Sequence, residues 1–396
     1  MRCAAALSTV RNSQAAVREV SDRLADAFQG EPADLALVFA SMHHADTLGQ
    51  VGVELTSRGL GRHVLGCTGE TIIGEGSEVE GEPALSVWAI QLPGADLNPI
   101  RIDPGSDGLD LVVGSKAQAA LILGDPFTFA PDPWLQKLQT VAPGLKVMGG
   151  MASGSQVPRE NRLVLDGQVF EEGAVAMALG GRLNVRTLVS QGCRPIGRPM
   201  IITRADRNLI RELGRRPSLE VLRELFDELP ENDQELVQSG LHIGRVINEY
   251  QEDFRRGDFL VRNVMGADDT GAIAITDLVR VGQTVQFHVR DAETADEDLR
   301  SLVETERIDH PRARVLGALL FSCNGRGTRL FSEPDHDVGV LREGFGPIPV
   351  AGFFAMGEIG PIGGQNFVHG YTASVVLFED DAKYEEGDRT GGRAGS

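Results

Sequence analysis

Three apolar runs, each ending in a small or polar residue, set the rhythm of the chain. Leu35 to Ser41, Ala119 to Asp125 and Gly317 to Cys323 each read as a buried strand. After a helical or loop stretch, a second strand follows in each case and ends in Val-x-Gly: Val64 to Gly66, Val147 to Gly149 and Val350 to Gly352. A glycine-rich loop and a further strand close each round, at Ala84 to Ile90, Gly173 to Leu179 and Thr372 to Phe378. Three rounds of strand, crossover, strand, loop and strand predict internal duplication.

The remaining patterns fill in the map. Val17, Val20, Leu24 and Phe28 make one stripe of a helix spanning 10–28. Between the second and third rounds the pattern changes. Val185 to Gly197 alternates and turns at Pro195 and Gly197, and with Met200 to Thr203 it predicts a hairpin. Helical spacing from Asn208 to Leu229, broken by Gly214 and Pro217, predicts two short helices. Short strands follow at 241–247, 258–262, 271–275 and 285–289, and Thr294 with Glu297 forms a capping box. The expected fold is α/β to α+β: two related halves with mixed β-sheets flanked by helices, for which a layered helix–sheet–sheet–helix arrangement is one form. The expected division is 1–190, 191–380 and a charged, glycine-rich tail at 381–396 read as disordered.

Composition narrows the function. At 396 residues the chain is long enough for two domains with a sizeable core. Its net charge of −19 argues against nucleic acid and anionic membrane surfaces. Four scattered cysteines with no Cys-x-x-Cys fit a reducing cytoplasm rather than a disulfide framework or zinc site. No apolar run is long enough for membrane insertion, and no cofactor motif or metal-ligand spacing is present. The acidic and histidine groups at His43, His44 and Asp46 and at Asp335, His336 and Asp337 read as solvated loops or helix caps.

Candidate chemistry concentrates in two glycine-rich turns. In the first, Ser322, Cys323, Asn324, Gly325 and Arg326 follow a buried strand, where backbone amides can form an anion nest and Arg326 offers a planar fork to a carboxylate. The alternative is a structural turn whose arginine pairs with a neighbouring carboxylate. In the second, Gly352 and Phe353 lead into Glu358, which either meets a ligand ammonium or caps backbone donors. His369 is read as a hydrogen-bonded histidine near the same pocket, and Arg290 and Asp291 as a pair bracing it.

The run Phe321 to Gly327, the stretch from Gly352 through Glu358 to Pro361, and His369 to Ser374 together resemble the C-terminal FIST domain. Gly192 to Gly197, Gly257 to Arg262 and Val289 to Ala292 resemble other landmarks of that family. Val38 to Ser41 and Gly66-Cys67 with Gly69-Glu70 resemble the N-terminal FIST domain. The resemblance implies a sensory module for small ligands, amino acids among them, with its output in a separate signalling partner. Two other readings stand beside the sensor. One is a Cys323-dependent enzyme of acyl-transfer or hydrolase type, with His369 and Glu358 as partners. The other is a scaffold that recruits a protein.

Overall fold

The computed structural model describes residues 1–106, 108–251, 253–254 and 257–380. The expected tail at 381–396 lies outside them. The chain forms two compact units: Met1–Val189 with Arg300–Val368 and the segment from Thr372 onward, and Ser190–Leu299 with His369–Tyr371. The second unit begins at Ser190, and from Arg300 the chain returns to the first unit except at His369–Tyr371.

The first unit is built from three rounds of one motif. The first runs β1 (Cys3–Ser8), α1 (Ser13–Phe28), β2 (Leu35–Ala40), α2 (Leu48–Ser57), β3 (His63–Thr68), β4 (Thr71–Gly74), β5 (Ser77–Glu80) and β6 (Leu85–Ile90). The second runs β7 (Ala95–Ile102), α3 (Leu109–Gly114), β8 (Ala119–Gly124), α4 (Pro131–Val141), β9 (Lys146–Met151), β10 (Leu163–Leu165), β11 (Gln168–Phe170) and β12 (Ala174–Gly181). The third opens with β13 (Val185–Gln191), and the second unit is then inserted in the chain. That unit holds β14 (Cys193–Asp206), β15 (Leu209–Leu213), β16 (Arg216–Pro217), α5 (Ser218–Glu228), α6 (Glu231–Ser239), β17 (His242–Val246), β18 (Phe259–Ala267), β19 (Ile273–Ile275) and β20 (Thr284–Arg290). The third round resumes with α7 (Ala292–Asp309), β21 (Val315–Cys323), α8 (His336–Phe345), β22 (Val350–Ala355), β23 (Glu358–Ile362), β24 (Gln365–His369) and β25 (Thr372–Glu379).

Each round makes a mixed sheet with one parallel pair at its centre: β2 with β3, β8 with β9, β21 with β22. The hairpins, however, are exchanged. β4 and β5 of the first round complete the third sheet, β10 and β11 of the second complete the first, and β23 and β24 of the third complete the second. The sheets are therefore β1-β6-β2-β3-β10-β11, β7-β12-β8-β9-β23-β24 and β13-β25-β21-β22-β4-β5. This exchange joins the first half of the sequence to residues beyond 300 in one unit. One face of each sheet contributes to a shared core that includes Phe39, Trp88, Leu121, Met177, Phe321, Phe353 and Phe378. The other face of the first sheet packs on Val17, Val20, Leu24 and Phe28, the stripe of α1, which starts at an Asn12 cap bonded to the Ala15 amide at 2.9 Å. The mixed sheets flanked by helices match the expected class, and the internal duplication is threefold.

The Val-x-Gly signature has a steric cause. A Cβ on Gly66, Gly149 or Gly352 would stand 2.2, 1.9 or 1.8 Å from the carbonyl oxygen of Val38, Ile122 or Leu320 on the parallel neighbour. Each glycine lets two strands approach so closely that no side chain fits between them.

In the second unit, β14-β20-β17-β18-β19-β15-β16 form one antiparallel sheet, and β14 also pairs with β15. Two sequence expectations fail here. Residues 193–206 form one long strand rather than a turn at Pro195 and Gly197: Pro195 pairs with His288 of β20, and Gly197 lies in the bulge between Ile196 and Met200. Residues 209–213 are a strand, because Ile210 and Leu213 are buried in sheet pairing, and only the stretch after Pro217 is helical. Among the described residues, no helix is long and apolar enough to cross a membrane.

His242 and His288, facing one another across β17 and β20, are both buried. Burial holds each near a pKa of about 4. The folded pKa lies below the unfolded value, so the stability these groups contribute is present above about pH 6.5 and is lost as pH falls toward about 4. A double His242→Gln, His288→Gln variant is expected to lose part of the acid-induced drop in Tm, measured by circular dichroism across that window.

Candidate functional site

The three second strands bring their ends together. The Ser153 amide donates to the Thr68 carbonyl at 3.2 Å, the Met151 amide to Gly357 at 2.9 Å and the Met356 amide to Met151 at 3.0 Å. Strand ends beside parallel pairs are where open α/β sheets place ligands. The Cys-Asn-Gly-Arg-Gly turn leaves β21 at this point. It closes through the Arg326 amide on the Cys323 carbonyl at 2.8 Å, and the Asn324 amide reaches the Ala355 carbonyl at 3.1 Å. The turn therefore meets the segment that leads into Glu358. Gly327 holds φ at +60°, and a Cβ there would lie 2.5 Å from Glu80 Oε1 and 2.7 Å from the Phe354 ring.

Arg326 is wholly buried, and so is its partner Asp337. The guanidinium grips that carboxylate in a fork, Nε to Oδ2 at 2.6 Å and Nη2 to Oδ1 at 2.7 Å. Ser322 Oγ donates to Asp337 Oδ2 at 2.7 Å, and His336 Nδ1 lies 2.9 Å from Oδ1. The His336 ring stacks on Phe331 at 3.4 Å, and the guanidinium sits 5.3 Å from the centre of that same Phe331 ring. Burial pushes the Asp337 carboxyl up, but the Arg326 charge and the His336 and Arg326 bonds outweigh it and hold it well below the carboxylate range. Asp337, read from sequence as a solvated or capping group, is thus the buried counter-ion of the turn. No group of three His, Cys, Asp or Glu side chains among the described residues is placed to hold a metal ion.

The exchanged hairpin completes this cluster. Glu78 and Glu80 stand two residues apart on β5 and share one face. Glu80 accepts from the Thr328 amide at 2.9 Å and its hydroxyl at 2.8 Å. Glu78 accepts from the Val338 amide at 2.9 Å, near the start of α8, while its own amide donates to Asp335 Oδ1 at 2.5 Å. Arg329 donates to the Asn324 carbonyl at 2.7 Å and also pairs with Glu70, and the Glu70 amide is bonded to Ser153 Oγ at 2.9 Å. Sequence reasoning singled out none of Glu78, Glu80, Arg329 or Ser153. Glu80 lies 248 residues from Thr328, and the exchanged hairpin brings it and Glu78 there.

The other sequence candidates take varied positions. The Cys323 sulfur accepts from the Gly325 amide at 3.5 Å. Gly352 lies inside the strand pair, and Phe353 packs in the shared core against Phe39 and Phe321 at 5.3 and 5.7 Å between ring centres. Both are scaffold positions rather than pocket lining. Glu358 is buried, with Oε2 accepting from the Thr372 hydroxyl at 2.7 Å and its amide at 3.2 Å. His369, Arg290 and Asp291 belong to the second unit. There Asp291 accepts from Arg194 Nε at 3.0 Å and caps α7 through Thr294, at 2.7 Å to the amide and 2.9 Å to the hydroxyl. That cap lies upstream of the expected Thr294 capping box. The Arg290 guanidinium sits 5.0 Å from the centre of the Tyr371 ring, and His369 is buried.

Within the turn, two buried polar atoms have no hydrogen-bond partner among the described residues: Arg326 Nη1, a donor, and Asn324 Oδ1, an acceptor. Glu78 Oε2 is a third such atom in the cluster. At the other end of β21 lies a cavity of about 760 Å³ lined by Arg186, Glu306, His310, Val315, Phe345 and Glu379. There Arg186 Nε lies 2.6 Å from Glu306 and His310 Nδ1 3.0 Å from the same carboxylate.

Comparison with known proteins fits the motifs to a family. Residues 34–216 match the FIST N domain and residues 218–361 the FIST C domain. An uncharacterized protein of Mycobacterium bovis is 40% identical over 390 residues, covering 96% of this chain and 100% of its own length. An uncharacterized protein of Mycobacterium tuberculosis is 40% identical over 389 residues, with the same coverage. An F-box/LRR-repeat protein of Arabidopsis thaliana is 22% identical over 306 residues, 66% of this chain and 58% of that protein. The chain belongs to the FIST family, a FIST N domain followed by a FIST C domain.

Proposed function

We propose that this protein is a sensor that holds a small carboxylate, an amino acid or a similar small acid, in the turn after β21 and reports it to a separate signalling protein. FIST domains are regarded as sensory, small-ligand-binding modules, which supports the class. The observation that carries the site is the pair of partnerless buried atoms in one turn, Arg326 Nη1 and Asn324 Oδ1. A buried donor or acceptor left without a partner costs about 1–3 kcal/mol, and a ligand removes that cost by supplying one. The guanidinium nitrogen suits a ligand carboxylate, and the amide oxygen suits a ligand ammonium or hydroxyl. Asn324 takes the role expected of Glu358, whose carboxylate is engaged by Thr372.

Thermal-shift measurements with a panel of amino acids and small organic acids test this on wild type and Asn324→Ala. That variant leaves the buried ion pair intact. At a hundredfold excess over Kd an acid stabilises by about 2.7 kcal/mol. The expected result is a rise in Tm for at least one acid in wild type, absent or much reduced in the variant. A panel that shifts neither protein, or both equally, would remove the turn as the site.

A further inference from the structure

We infer that the carboxylate subsite has a second wall, Glu78 of the exchanged hairpin, so that a bound carboxylate is shared between Arg326 Nη1 and the Glu78 carboxyl. This rests on the reading of the turn as a carboxylate site and adds the chemistry of its control. Glu78 and Arg326 come from rounds one and three and are locked on consecutive residues of α8, Val338 and Asp337. Each keeps one buried polar atom without a partner among the described residues, Oε2 and Nη1. Their charges lie close enough to influence each other.

A carboxylate beside a carboxylate is repulsive unless one holds a proton. Burial, then the Asp337 charge, raises Glu78 to about 8, against a weaker pull from the Val338 amide and Arg326. The groups facing it are Asp335, His336 and Asp337 at the start of α8, Arg326 in the turn, Glu80 on its own strand, and Arg342, which packs against Gly76. At neutral pH the Glu78 carboxyl therefore carries a proton and donates it to one oxygen of the ligand, while Arg326 donates to the other. Above its titration the charged Glu78 expels the ligand. Binding is coupled to proton uptake.

The affinity of acetate and of succinate for wild type and for Glu78→Gln, measured by calorimetry from about pH 6 to about pH 9.5, tests this. The amide keeps an acceptor for Val338 and a donor for the ligand. Wild-type affinity is expected to be level at low pH and to fall about tenfold per unit above about pH 8, and the variant's to stay level throughout. Titrations of wild type in two buffers of different ionisation enthalpy give a second readout, with net proton uptake expected near pH 8. Matching pH profiles in the two proteins, or no proton uptake, would overturn the role of Glu78 while leaving the turn as a site. Failure of both acids to bind wild type at any pH would overturn the carboxylate reading of the turn, and this inference with it.

Discussion

Arg326→Ala is expected to destabilise the first unit by about 3–5 kcal/mol in urea unfolding, because it strands the Asp337 charge in an interior with no exposure to water. Asp337 takes two bonds from the guanidinium, and only Ser322 and His336 would remain. The loss is expected to vary little with salt, since a buried pair is poorly screened. Replacing both partners by apolar groups of similar size, as in Arg326→Met with Asp337→Leu, is expected to recover much of the loss. A single variant within about 1 kcal/mol of wild type would mean that the pair is hydrated and the turn open to solvent.

Gly352→Ala is expected to cost about 3 kcal/mol or more, for a different reason. Its Cβ would stand 1.8 Å from the Leu320 carbonyl oxygen, so the parallel pair β21–β22 has to separate. Gly66→Ala and Gly149→Ala meet the same obstacle in the other two sheets, at 2.2 and 1.9 Å. Gly339→Ala supplies the contrast. It lies within α8 with nothing near its would-be Cβ, and alanine there is expected to add about 0.5–1 kcal/mol. Equal effects at positions 352 and 339, in chemical unfolding, would contradict the close approach of the parallel strands.

Much of this was legible in the sequence because it is local. The three apolar runs and the three Val-x-Gly ends mark strands, and strand periodicity does not depend on what lies far along the chain. The reason for each glycine was not legible, since it depends on the distance to a neighbouring strand. The segment 209–213 reads as helical from sequence because its apolar spacing suits both periods, and pairing with β14 and β19 decides the outcome. The turn at 322–327 was identified by its composition and its place after a buried strand. Its partners were not. Asp337 reads from sequence as a solvated or capping group within an Asp-His-Asp run, and nothing in the local pattern marks Glu78 or Glu80. Hairpin exchange among three similar rounds carries no signal in residue type, so the groups that complete the site were hidden by topology rather than by chemistry.

A crystal structure of the protein soaked with a small carboxylate tests the central claim most directly. The account expects the carboxylate within hydrogen-bonding distance of Arg326 Nη1, with the Arg326–Asp337 fork intact. A carboxylate seated instead in the cavity beside His310, with the turn unchanged and empty, would contradict it.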